Sequence, residues 1–229
     1  MPQIFRASPR PTKERKERKD NADMRRRQIL DATLRSIIRS GLAKTTLATV
    51  AAESGLSQGV AVFYFKSKNG LLSAALRELY QSYEDTWEVA LANAAPTPTA
   101  RLRAIIAADF DPVVCNPDTL AVWFAFWGEQ KFTPQYSEIT SQYDQKRANA
   151  IEEICLQLLP SNPERARLAS DWIDSATDGY WQKLHLFPES YSRDVALKRT
   201  FSLVQTLFAD HAKEFGCLTS VPKGQNRII

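Results

Sequence analysis

The sequence predicts an all-α chain of about nine helices, and three observations carry that expectation. Apolar residues recur at spacings of three and four through nearly every stretch, the pattern of a helix with one buried face. No run alternates apolar and polar residues over a useful length, as a half-buried strand would. Prolines fall between the periodic stretches, at Pro96, Pro112, Pro117, Pro134, Pro160 and Pro188, where they end one helix or precede the next.

The elements follow in order. Residues 1–22, proline-rich and then TKERKERKDN, have almost nothing to bury and are expected to be a disordered basic arm. Asp23 is placed to cap a first helix that carries Ile29, Leu30, Ala32, Thr33, Leu34, Ile37 and Ile38 on its apolar side and ends at Gly41. A second, short helix spans Thr46 to Ser54 with Leu47, Val50 and Ala51 on one face. Gly55 breaks it, since glycine takes the left-handed backbone that a tight helix-ending turn needs. Ser57 should cap a third helix, Gln58 to about Phe63, and Asn69 a fourth from near Gly70 to about Leu91. The remaining helices are expected over Arg101–Phe110, Asp118–Lys131 and Gln135–Leu159. Then come Pro163–Leu186 with Asn162 as cap, and a last helix from a Ser192 cap to Phe215-Gly216.

Composition narrows the function classes. The formal charge of +4 over 229 residues conceals an asymmetry. Residues 1–70 hold 15 Lys/Arg against 6 Asp/Glu, whereas residues 71–229 hold 15 against 20. A basic head on an acidic body points to a polyanion that meets the head alone. No apolar run approaches a membrane span, and no signal peptide is visible, so a cytoplasmic location is expected. Cys115, Cys155 and Cys217 are scattered and lack a CxxC pair, which argues for reduced thiols and against a zinc site. His185 and His211 have no partner at metal-ligand spacing, and no P-loop, GxGxxG, GxSxG or HExxH motif is present. Neither a metal, a cofactor nor an enzymatic activity is expected.

Two short helices joined at a glycine turn form a helix-turn-helix, whose second helix can enter the DNA major groove. The residues Gly41, Thr46, Val50-Ala51, Ser54-Gly55-Leu56-Ser57, Gly59, Tyr64-Phe65, Lys68 and Leu71 stand in the spacing of one family. The segment resembles the DNA-binding domain of the TetR family of bacterial repressors. Val62 departs from it, standing where that family usually has tyrosine. The expected DNA-facing set is Ser57, Gln58, Gly59, Val62, Phe63 and Tyr64. Gln58 is the reader of a base edge, since glutamine can pair bidentately with adenine. Thr46 and Lys68 are expected to hold phosphates. The resemblance implies a DNA-binding domain over residues 23–68, an effector-binding and dimerisation domain over 69–216, and a tail over 217–229.

In the body, Trp123, Phe126 and Trp127 share one helical face, and Asp171, Asp174 and Asp178 share another near Trp172, Tyr180 and Trp181. Such stripes are ordinarily core and solvated surface. Together they are also the materials of a cation site, in which ring faces attract an ammonium and a carboxylate balances its charge. The body also resembles that of BetI-type repressors, which respond to choline and control glycine betaine synthesis. The matches are Phe110-Asp111, Trp123 with Ala125, Phe126 and Trp127, Asp178-Gly179 with Trp181, and Lys68-Asn69-Gly70-Leu71-Leu72. This implies a ligand site of Phe110, Trp123, Phe126, Trp127, Asp178 and Trp181 for a choline-like cation. A homodimer on a palindromic operator is expected, paired through Ile173, Ala176, Gly179 and Tyr180 on one helix and Phe201, Val204 and Phe208 on the next. The alternatives are an uncharged hydrophobic effector, an architectural DNA protein without an effector, and an enzyme fused to a DNA-binding head.

Overall fold

In the computed structural model of the chain, residues 13–216 are described; they fold into nine helices and one short 3-10 turn. The chain divides into two compact units, residues 1–74 and 75–229.

The first unit holds α1 (Lys13–Lys44), α2 (Leu47–Ser54), α3 (Gln58–Phe65) and the start of α4 (Lys68–Asn93). Contrary to the expectation of a disordered arm capped at Asp23, α1 is already helical at Lys13. The reason is local: from Lys13 to Ser40 there is neither proline nor glycine, and Lys, Glu and Arg are good helix formers. Residues 1–12 of that arm, and the tail 217–229 with Cys217, lie outside the described residues. The helix proper ends at Gly41 (φ 76°, ψ 169°), as expected. Ile29, Leu30, Ile37, Val50, Ala61, Phe65, Leu71 and Leu72 form this unit's core. Two hydroxyls buried with them are satisfied, since Ser36 and Thr45 bond to each other at 3.1 Å and Thr45 also donates to the Gly41 carbonyl.

The second unit contains the rest of α4, then α5 (Pro98–Ala108), α6 (Pro117–Glu129), α7 (Pro134–Leu158), α8 (Pro163–Leu186) and α9 (Arg193–Leu207). Its prolines sit in the first turn of α5, α6, α7 and α8, where a missing N–H costs nothing. Side chains of Thr97, Asn116, Asn162 and Ser192 each accept a first-turn N–H. Helix α8 is the hub, packed against α6, α7 and α9, while α5 closes the other side against α7 and α9. The last helix is shorter than predicted: it stops at Leu207, and a 3-10 turn at Ala209–His211 precedes Phe215, which tucks back against Phe208. No helix among the described residues is long and apolar enough to cross a membrane. Cys115 and Cys155 are free thiols, and burial pushes both up to about 12.

Candidate functional site

The first candidate surface is the helix-turn-helix. Thr46 opens α2 with a reciprocal cap: its hydroxyl accepts from the Thr49 N–H at 3.1 Å, and its own N–H donates to the Thr49 hydroxyl at 2.8 Å. Gly55 ends α2 in the left-handed conformation (φ 67°). Ser57 takes the N-cap position of α3 but makes no capping bond, so its role there is positional. Ser57, Gln58, Gly59, Val62 and Phe63 are all exposed on α3, and Phe63 is 68% exposed, unusual for a phenylalanine. Tyr64 is half-buried between Phe63 and Phe65. Lys68 stands at the start of α4, where its ammonium donates to the Ala43 carbonyl at 2.8 Å and ties that helix to the end of α1. The cap expected from Asn69 comes instead from Ser67, whose hydroxyl accepts from the Gly70 N–H at 3.0 Å.

The second candidate site is a cavity of about 50 Å³ inside the second unit, lined by residues of α4, α6, α7 and α8: Tyr80, Tyr83, Trp123, Trp127, Asp144, Arg147, Asp174, Asp178 and Trp181. Three tryptophans supply its aromatic wall. Trp123 and Trp127 stand one turn apart on α6, with ring centroids 6.2 Å apart, and Trp181 of α8 lies 5.8 Å from Trp123 and 6.4 Å from Trp127. Tyr80 and Tyr83 add edge contacts to Trp123 at 4.6 and 5.9 Å. The rings are held in place from behind, since the Trp181 indole donates to the Asp109 carbonyl at 2.8 Å and the Tyr83 hydroxyl to the Asp109 carboxylate at 2.7 Å.

The polar wall has a definite charge balance. Arg147 is buried, and it forms ion pairs with Asp109 behind the cavity and Asp174 on its lining. Burial opposes its charge, but the nearby Asp109, with Tyr83, Asp174 and Asp178, outweighs that and holds its proton more firmly. Burial pushes the Asp109 carboxyl up, against the pull of Arg147. Arg147 spends its two ion pairs there, on neither Asp144 nor Asp178. Both of these line the cavity, where surrounding protein displaces bulk water although their surfaces remain accessible. Desolvation raises Asp144 to about 6, with a bond from Tyr80 pulling it back, and raises Asp178 to about 7, helped by Asp174 nearby.

Of the ligand residues expected from sequence, the structure brings Trp123, Trp127, Asp178 and Trp181 together. Phe110 and Phe126 do not line the cavity; both are buried, Phe126 against Tyr136, and the Phe110 carbonyl accepts from Arg193. Asp171 is exposed outside it. The contributions of Tyr80, Tyr83, Asp144 and Arg147 went unforeseen. His185 stacks on Phe124 at 4.7 Å and His211 bonds to Glu214 at 2.9 Å, both away from the cavity lining. Among the expected dimer residues, Ile173, Phe201, Val204 and Phe208 are corrected to internal core, at most 4% exposed within the single chain. Their apolar spacing reflects packing among α8, α9 and their neighbours. Ala176, Gly179 and Tyr180 retain partial exposure, and Trp172 at 48% and Leu168 at 45% lie along the same helix.

Comparison with known proteins identifies the family of each unit. Residues 29–75 match the bacterial regulatory proteins of the tetR family, and residues 98–209 match the C-terminal domain of BetI-type transcriptional repressors. A curated relative, the HTH-type transcriptional regulator BetI of Burkholderia thailandensis, is 33% identical over 83% of this chain and 96% of its own length. The chain belongs to the TetR family. It is a transcriptional repressor of BetI type, with a DNA-binding helix-turn-helix, and its relatives are named as regulators, not enzymes. The BetI regulator of Burkholderia pseudomallei strain K96243 is 34% identical over 82% of this chain and 95% of its own. Among solved structures, a transcriptional regulator from Pseudomonas aeruginosa PAO1 superposes with TM-score 0.75 at 21% identity, covering 85% of this chain and 95% of that one. One from Saccharomonospora viridis in complex with choline superposes with TM-score 0.72 at 19% identity, covering 80% and 96%. At those identities the TetR-family likeness to solved structures is one of fold.

Proposed function

We propose that this repressor is switched by a small quaternary ammonium, choline or a close relative, and controls choline and glycine betaine metabolism. The observation that carries this reading is the charge balance of the cavity. Two carboxyls outside the ion pairs of Arg147, whose charge reaches them only from a distance, face a wall of three tryptophans, and a cation adds the direct counter-charge while its methyl groups pack on the rings. A cavity of about 50 Å³ holds a few water-sized groups, which suits a compact headgroup and opposes a long acyl chain. Its presence, with acids in its wall, also opposes both a purely architectural protein and an uncharged hydrophobic effector. The regulator in complex with choline that shares this fold supports the same ligand class.

On the DNA side, α3 presents Gln58 for a base edge, with Val62 and Phe63 as apolar groups suited to thymine methyls. One short helix reads few base pairs, so two heads on a palindromic operator are required, paired through the stripe on α8 that runs from exposed Leu168 and Trp172 to the half-buried Ala176, Gly179 and Tyr180. The deciding experiment is calorimetric titration of the protein with choline and with 3,3-dimethylbutanol, its neutral isostere. Choline is expected to bind more tightly. Equal affinity for the two would overturn the charge-based site.

A further inference from the structure

We infer that the amino-terminal extension of α1 is a second DNA-contacting element, which holds backbone phosphates beside the groove that α3 enters. The extension lies outside the part of the chain that matches the family, which begins at residue 29, yet the helix runs without a break from Lys13. Its stretch from Arg18 to Arg26 spans about 12 Å at ~1.5 Å per residue.

Its charges are sorted by helical register. In the packed part of α1 the buried residues Ile29, Thr33, Ser36 and Ile37 mark the face turned toward the rest of the head. Stepping back from Ile29 by threes and fours, the same face carries Arg26 and Arg25, then Ala22, then Lys19 and Arg18. The acids Glu17, Asp20 and Asp23 all fall at register positions on the other side. From Arg18 to Arg26, with Ala22 between, a cationic face thus continues the line along which the helix packs onto the head. Arg26 fixes where that face begins: its guanidinium lies over the Phe65 ring at 5.6 Å, at the last turn of α3. Lys19 and Arg25 lie further out and are exposed.

The occupant that fits is double-stranded DNA. A duplex offers about one negative charge per 1.7 Å, so a basic helix face of this length meets several phosphates at once. A bilayer is the wrong partner, because the face carries no large apolar residue to insert, Ala22 being its sole non-polar member. Contacts of this kind read no sequence. They add affinity and fix orientation.

Arg25 and Arg27 provide a matched pair for the test, two residues apart and on opposite sides of the same helix. The full chain and its R25Q, R27Q and K19Q/R25Q variants are titrated onto a fluorescein-labelled 40-base-pair duplex of mixed sequence, with anisotropy read from 50 to 300 mM KCl. Glutamine preserves helix propensity, and circular dichroism confirms the fold. Each phosphate contact removed lowers the slope of log K against log salt by about 0.9. R25Q is expected to lower the slope by about 1 and K19Q/R25Q by about 2, with a loss of affinity that shrinks as salt rises, while R27Q leaves the slope unchanged. Equal slopes for R25Q and R27Q, or an unchanged slope in K19Q/R25Q, would overturn the assignment and leave the helix-turn-helix as the sole DNA-binding surface.

Discussion

At the scale of single residues, the cavity acids make the proposed switch sensitive to pH. Desolvation by the cavity wall raises Asp178 to about 7 and Asp144 to about 6, so near neutrality, with no cation bound, Asp178 is about half protonated and Asp144 mostly ionised. Their folded values lie above the ordinary carboxylate range, so the folded chain binds more protons than the unfolded chain between roughly pH 4 and 7. Their contribution to the ligand-free protein's stability therefore falls as pH rises through that window. A cation favours the charged carboxylates, so the sign for binding is opposite: choline affinity is expected to rise from pH 5 to pH 8 and to level off above about 8. Calorimetry across that range checks it, and Asp178→Asn should flatten the step nearest neutrality. A pH-independent affinity in the wild type would remove Asp178 from the site. Trp127 is the ring to test, because Trp123 is fully buried and its loss would empty the core. Trp127→Ala is expected to weaken choline binding about 2- to 30-fold, the range of ~0.5–2 kcal/mol for one cation–π contact. Arg147→Ala acts on folding instead. It strands the buried Asp109 carboxyl, and urea denaturation should show a loss of about 3–5 kcal/mol.

At the scale of elements, Gly70 marks where two helices meet too closely for any side chain. A methyl group there would stand 2.2 Å from the Phe65 carbonyl oxygen, a backbone atom that cannot swing aside. Gly70→Ala should therefore displace the end of α3 from the start of α4 and weaken DNA binding. Gly55→Ala meets no neighbour within 4 Å and costs only its left-handed backbone, about 1–2 kcal/mol. Comparing the two variants by thermal melt and DNA anisotropy separates steric from conformational cost. The same contrast between local and distant causes explains what the sequence revealed. The turn at Gly55 and the caps at Asn162 and Ser192 were legible because a cap is settled within one helical turn. So were Trp123 and Trp127, whose spacing sets them on one face of α6, while Asp178 was singled out by the resemblance to BetI-type repressors together with its acidic stripe. Tyr83, Asp144 and Arg147 were not, since their meeting depends on how α4, α7 and α8 pack. In the polar sequence of α7, Arg147 reads as an ordinary surface cation. Phe126 and Ile173 erred the other way: a helix in a bundle shows apolar residues on more than one side, and spacing alone does not say which side faces a cavity, a partner or the core.

At the scale of the molecule, effector and operator must compete if the repressor is to be released. The ligand can shift the balance between DNA-binding and non-binding states only by the difference in its affinity for them. Helix α4 contributes residues to both units, Leu71 and Leu72 to the core of the first and Tyr80 and Tyr83 to the cavity of the second, so one continuous element belongs to both. If choline lowers operator affinity by some factor, the operator must lower choline affinity by the same factor, typically about 5- to 150-fold for such couplings. The measurement is a pair of calorimetric titrations with choline, one on the free protein and one on the protein saturated with an operator duplex selected from genomic DNA, alongside anisotropy titrations of that duplex with and without saturating choline. The two ratios are expected to agree. Two-headed binding adds a second condition. Trp172→Glu places a charge in the proposed pairing stripe of α8 and should yield a monomer by sedimentation velocity, with its cavity, and hence its choline affinity in the absence of DNA, unchanged. In that monomer operator affinity should collapse, because each head then binds alone. A Trp172→Glu protein that remains dimeric would move the pairing surface elsewhere. Choline that binds the free and the DNA-saturated repressor equally well would leave the cavity as a binding site without control over transcription.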